Sequence, residues 1–151
     1  MSTIYEDLIV MGVDARDAED AIRQVGQYLL KGGYVKDTYI DAVAQREVEY
    51  PTGLQLRKAG IAMPHTAGIH VNRPAVCVAR LAHPVTFCHM GDPDTKVEAE
   101  MLFMMAIQNP DEQIDTLAKV MGVFVNDAAV EELLSAPDHA SLYRVAQTHL
   151  G

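Results

Sequence analysis

The chain has 151 residues, 49% of them hydrophobic, enough for one packed core and too few for two ordinary domains. A formal net charge of -9 argues against nucleic acid or an anionic membrane surface as partner, since both are bound chiefly by neutralising negative charge. No basic start leads into a signal-like apolar run, and nothing approaches the roughly 18 uninterrupted apolar residues of a membrane span, so the expectation is a single cytosolic domain over residues 1–151 without direct membrane insertion.

Residues 4–13 finish in Leu8-Ile9-Val10-Met11, a first strand that Gly12 releases. Asp14 is read as the cap of a helix in which Ala18, Ala21, Ile22, Val25 and Leu29 recur at helical spacing until Gly32-Gly33. A second helix is expected from a cap at Asp37, through Ile40, Val43 and Ala44, to about Glu47, with Arg46 in its last turn. Tyr50-Pro51-Thr52-Gly53-Leu54 reads as a loop that carries a hydroxyl and a glycine.

Gly60-Ile61-Ala62-Met63-Pro64-His65-Thr66 is the stretch around which the chain is organised. A small apolar run reads as a short strand and stops at a histidine held behind a proline, whose ring fixes its own backbone angle and pushes Met63 toward an extended conformation. Neutral imidazole has one nitrogen free as nucleophile and a second by which it can be oriented.

Residues 67–70 form a loop, and 75–81 and 85–89 are two strands with alternating patterns. After a turn at 91–94, residues 97–107 are expected to be a strand buried on both faces along its second half. Asn109-Pro110-Asp111-Glu112 combines a cap, a first-position proline and two acids, and opens a helix expected to bury Ile114, Leu117, Ala118, Met121 and Phe124. Asn126 and Asp138 cap two further helices. Strands interleaved with helices imply an α/β (α+β) fold, a mixed sheet covered by helices.

Charge is distributed unevenly. Between Arg46 and His89 stand five Lys or Arg against two acids, a local +3, whereas the remainder carries 7 bases and 19 acids, or -12. A basic window around a histidine nucleophile suits a small anion. Cys77 and Cys88 lie in strand-like stretches with no CxxC spacing, which fits buried free thiols better than a disulfide, redox pair or zinc site. His65, His70, His83 and His89 raise a metal-binding module as a remote alternative, but their spacings form no compact ligand pattern; no metal or cofactor is expected.

With Arg46-Glu47, Pro51-Thr52-Gly53-Leu54, the 60–66 stretch and the Asn109-Pro110 helix laid out, nearly the whole chain resembles a phosphocarrier domain of the sugar phosphotransferase system, enzyme IIA of the fructose and mannitol superfamily. His70-Val71-Asn72, Pro84-Val85-Thr86-Phe87 and Met90-Gly91 look most like the galactitol-type branch. The resemblance implies a mixed sheet of about five strands between helices. It also implies that His65 receives a phosphoryl group from the phosphohistidine of HPr and passes it to a cysteine of a sugar-specific enzyme IIB; a regulatory protein of the nitrogen-related branch is the alternative. Arg46 would supply a cation, and Thr52 with the backbone N–H groups of residues 66–68 would hold phosphoryl oxygens. Many relatives carry a second histidine where this sequence has Gln113, which can donate a hydrogen bond but carries no charge; His70 is a candidate substitute. Because donor and acceptor are proteins, a shallow apolar rim is expected, with Ile61, Met63, Ile69 and Val71 as candidates.

Overall fold

The computed structural model describes residues 3–151. Its elements are β1 (Ile9–Val13), α1 (Ala18–Lys31), α2 (Tyr39–Glu49), β2 (Gly53–Gln55), β3 (Gly60–Ala62), β4 (Ala75–His89), β5 (Asp92–Ala106), α3 (Pro110–Phe124), α4 (Asp127–Ser135) and α5 (His139–Leu150), with single 3-10 turns at Glu6–Leu8 and Gly68–His70. The five strands form one mixed sheet. β1 pairs in parallel with β4, β4 antiparallel with β5, β5 in parallel with β3, and β3 antiparallel with β2; β2 also meets the tip of β4 through Gly53 and His89.

The alternation read along the central strands decides which layer each side chain joins. Cys77, Ala79, Leu102 and Met104 pack toward α1 and α2. Val76, Val78, Met101, Phe103 and Met105 pack toward α3, α4 and α5. The second half of β5 is therefore buried on both faces, as its unbroken apolar run requires. Two helical layers enclose the sheet, which is the fold class anticipated.

Several local readings are corrected. The segments 75–81 and 85–89 are one strand, because Pro84 falls where the register shifts between Arg80 and Val85 and no ladder donor is needed. β1 runs on to Val13, with Gly12 at φ 72° taking up a register shift. Asp17, not Asp14, caps α1 by accepting from the Asp20 N–H, while Asp14 is drawn to His83. Asp37 does not cap α2; Thr38 holds that position, and its hydroxyl is 2.8 Å from His70 Nδ1 instead of capping. Part of the expected 50–54 loop is β2. On α3 the buried face is Thr116, Val120, Val123 and Phe124, whereas Ile114 and Met121 are exposed: the helix carries more apolar residues than one face holds, and packing against α4 and α5 selects among them. Cys77 is buried and free, but Cys88 is only half-buried.

Candidate functional site

β3 ends opposite Leu102, in the second half of its parallel neighbour β5, and the chain beyond it is held from both sides. A Cβ at Gly60 would lie 2.2 Å from the Glu98 carbonyl oxygen, so only glycine lets β3 approach β5 this closely. Past the last ladder pair, Gly53 with Ala62, the Met63 N–H donates to the Thr52 hydroxyl at 3.1 Å. On the other side the Met105 N–H donates to the Pro64 carbonyl at 3.0 Å. The Met63 carbonyl between these anchors accepts from His65 Nδ1 at 2.8 Å.

That last contact determines the tautomer. A carbonyl can only accept, so Nδ1 carries the proton and Nε2 keeps its lone pair. Burial holds His65 below its ordinary pKa of 6.5; the Met63 hydrogen bond opposes this and the Arg46 charge adds to it. The half-buried ring is thus mostly neutral near pH 7 and nucleophilic through Nε2.

Below it lies a residue that the sequence reading left out of the site. Glu47 accepts from the Thr52 N–H at 2.7 Å with one oxygen and from the Thr52 hydroxyl at 2.8 Å with the other. Burial pushes this carboxyl up to about 7, against the pull of both Thr52 hydrogen bonds and of the Arg46 charge. The Arg46-Glu47 pair at the helix end was visible, but nothing local in the sequence marked the acid as turned inward beneath the Thr52 loop. Arg46 itself stacks on the Tyr50 ring at 5.2 Å, and its Nε is buried without a hydrogen-bond partner among the described residues.

The structure brings Arg46, Thr52 and His65 together. No hydrogen bond links His70 or Gln113 to them among the described residues. His70 turns to Thr38, and Gln113 is exposed on the first turn of α3, with no side-chain hydrogen bond to His65 among the described residues. Thr52 is buried, and its hydroxyl is committed to Glu47 and Met63, so it supports the site from beneath. Among the described residues the backbone N–H groups of Thr66 and Ala67 make no hydrogen bond.

The basic window is less of a field than its count suggests. Arg57 and Lys58 pair with Asp127 and Glu131 of α4, Arg73 lies over the Tyr34 ring, and Arg80 donates to the Leu133 and Ala136 carbonyls at the end of α4. Arg46 alone of the five is placed to act on His65. Of the rim candidates, Ile61, Met63 and Val71 are core and Ile69 is exposed. The four histidines of the metal alternative have separate surroundings: His83 contacts Asp14, His89 accepts from the Gly91 N–H, and no three His, Cys, Asp or Glu side chains converge among the described residues.

The family model "Phosphoenolpyruvate-dependent sugar phosphotransferase system, EIIA 2" matches residues 2–148. The galactitol-specific EIIA component of Escherichia coli K12 is 30% identical over 127 residues, 84% of each chain. The crystal structure of mannitol IIA from Escherichia coli superposes with a TM-score of 0.75 at 25% identity, covering 94% of this chain and 97% of that one. Mannitol enzyme IIA in its complex with phosphorylated mannitol enzyme IIB, also from Escherichia coli, shares the fold with a TM-score of 0.75 at 24% identity, over 94% and 95% of the two chains. Among the described residues no helix is long and apolar enough to cross a membrane. With residues 2–148 matched by the family model, the chain belongs to the EIIA 2 family of the phosphoenolpyruvate-dependent sugar phosphotransferase system, whose members are phosphotransferase components that work through a phosphohistidine intermediate.

Proposed function

We propose that His65 is the phosphoryl acceptor and that transfer uses Nε2. The observation that carries this is the 2.8 Å contact of Nδ1 with the Met63 carbonyl, which leaves the Nε2 lone pair free on a mostly neutral ring. Phosphotransferase enzyme IIA domains take their phosphoryl group from HPr and hand it to enzyme IIB. In the first step the Nε2 lone pair forms the N–P bond as the donor's N–P bond breaks and its imidazole departs with the bonding electrons. Positive charge that builds on the His65 ring is met by the Met63 carbonyl through Nδ1–H. The Arg46 charge, which already acts on His65, offsets the negative charge on the equatorial oxygens, and the Thr66 and Ala67 N–H groups are available to share it. In the second step a cysteine thiolate of enzyme IIB attacks phosphorus, the N–P bond breaks, and the neutral ring returns with its proton still on Nδ1. The work takes place in the cytoplasm, with an enzyme IIB of the galactitol-type system as partner; the 30% identity to galactitol EIIA supports that choice.

Incubation with phosphoenolpyruvate, enzyme I and HPr, followed by intact mass, tests the reading. One phosphoryl group, lost in acid and absent from His65→Ala, is the expected result. Full labelling of folded His65→Ala removes His65 from the role. Faster discharge by mannitol than by galactitol enzyme IIB would overturn the partner assignment.

A further inference from the structure

We propose that Glu47 is a positioning residue for phosphoryl transfer, acting on His65 through Thr52 and the Met63 main chain. This rests on the reading of His65 as the acceptor. The path is continuous: both Glu47 oxygens accept from Thr52, the Thr52 hydroxyl accepts from the Met63 N–H, and the Met63 carbonyl accepts from His65 Nδ1. Each contact falls between 2.7 and 3.1 Å.

Its direction is set by donor and acceptor chemistry. With Glu47 ionised, the Thr52 hydroxyl gives its one proton to the carboxylate and keeps its oxygen lone pairs for Met63. Met63 is thereby anchored through its N–H, while the next residue is anchored by Met105 through the Pro64 carbonyl. Between two fixed points the Met63 carbonyl has one orientation, and it is the one that holds the Nδ1 proton. Thr52 is buried at 3% exposure, so water does not readily replace a lost partner. Glu47→Gln presents an amide N–H to one of two Thr52 donors, which leaves that donor unpaired and loosens the chain above it.

Two readouts are needed: the rate of phosphoryl acceptance from phospho-HPr, and the His65 tautomer from ring ¹⁵N shifts at pH about 8, where imidazole is neutral. For Glu47→Gln and Thr52→Val the expected result is a rate about tenfold lower, the worth of one hydrogen bond, with Nδ1–H giving way in part to Nε2–H. Thr52→Ser, which keeps the hydroxyl, recovers most of what Thr52→Val loses. If Glu47→Gln fails to fold, the Thr52 pair carries the test. Wild-type rates and unchanged ¹⁵N shifts in folded Glu47→Gln or Thr52→Val, with phosphorylation still lost in His65→Ala, would overturn the positioning role alone. Phosphorylation of His65→Ala would instead overturn the acceptor assignment beneath it.

Discussion

Two histidines in this chain stand next to prolines at points where strands break step, Pro64-His65 after β3 and His83-Pro84 within β4, and they have opposite surroundings. His65 is half-buried and feels the Arg46 cation, and these hold its pKa down against the opposing pull of its hydrogen bond to the Met63 carbonyl. His83 is exposed; it is held up by the contact of its Nδ1 with the Pro84 carbonyl and by the Asp14 carboxylate 2.9 Å from Nε2. An imidazole with both nitrogens engaged is a strut. One with a single nitrogen engaged, in a half-buried place that disfavours its charged form, keeps a lone pair free to react. Arg46 and Arg80, the cations of the two regions, divide the same way: the first has an unpartnered Nε, the second spends itself on the Leu133 and Ala136 carbonyls.

The largest effect that would sharpen this contrast is on transfer. Arg46→Ala should lower the rate of phosphoryl acceptance by about 10²–10³, the scale for losing a donor aimed at developing charge, while the thermal midpoint moves little. A rate within threefold of wild type by quench-flow would place the transition-state charge elsewhere. Arg80→Ala should do the reverse. It strips a charged donor from two carbonyls at the end of α4 and should cost about 1–3 kcal/mol in urea unfolding with the transfer rate unchanged. A slowed transfer in a folded Arg80→Ala would erase the division of labour.

Proton titration separates the histidines directly. By NMR, His65 should titrate below 6.5 and His83 above it. The linkage signs differ: the His83 contribution to stability is complete below 6.5 and lost as pH rises through its folded value, whereas that of His65 is present above 6.5 and lost as pH falls through its folded value. Matching midpoints would mean that the two environments do not differ in solution. The smallest effect expected is from Gln113→Ala. Its side chain is exposed on the first turn of α3, so acceptance should slow slightly without stopping, and stopped-flow traces superposable on wild type would remove it from the site.

Much of this was legible in order along the chain. Caps at Asn109, Asn126 and Asp138 lie where their short polar side chains stand just ahead of apolar periodicity, and each accepts from the helix it opens. The doubly buried half of β5 was readable because no charge interrupts it. Asp14 and Asp17 are equivalent as local signals, but Asp17 caps the helix and Asp14 meets His83, 69 residues away. The buried face of α3 was likewise undecidable locally, since Ile114 and Val120 are equally apolar and only helices α4 and α5 distinguish them.

The same division runs through the site. Sequence alone determined that a short apolar strand ends in a proline-held histidine with an Arg-Glu pair and a Pro-Thr-Gly loop upstream, because backbone stiffness and side-chain chemistry are local properties. Only the tertiary structure decided which nitrogen of His65 is free, that Glu47 is bound to Thr52 through both oxygens, and that one cation of five acts on His65. Tautomer, burial and charge pairing depend on which groups meet across the sheet, and those meetings are made by residues up to tens of positions apart.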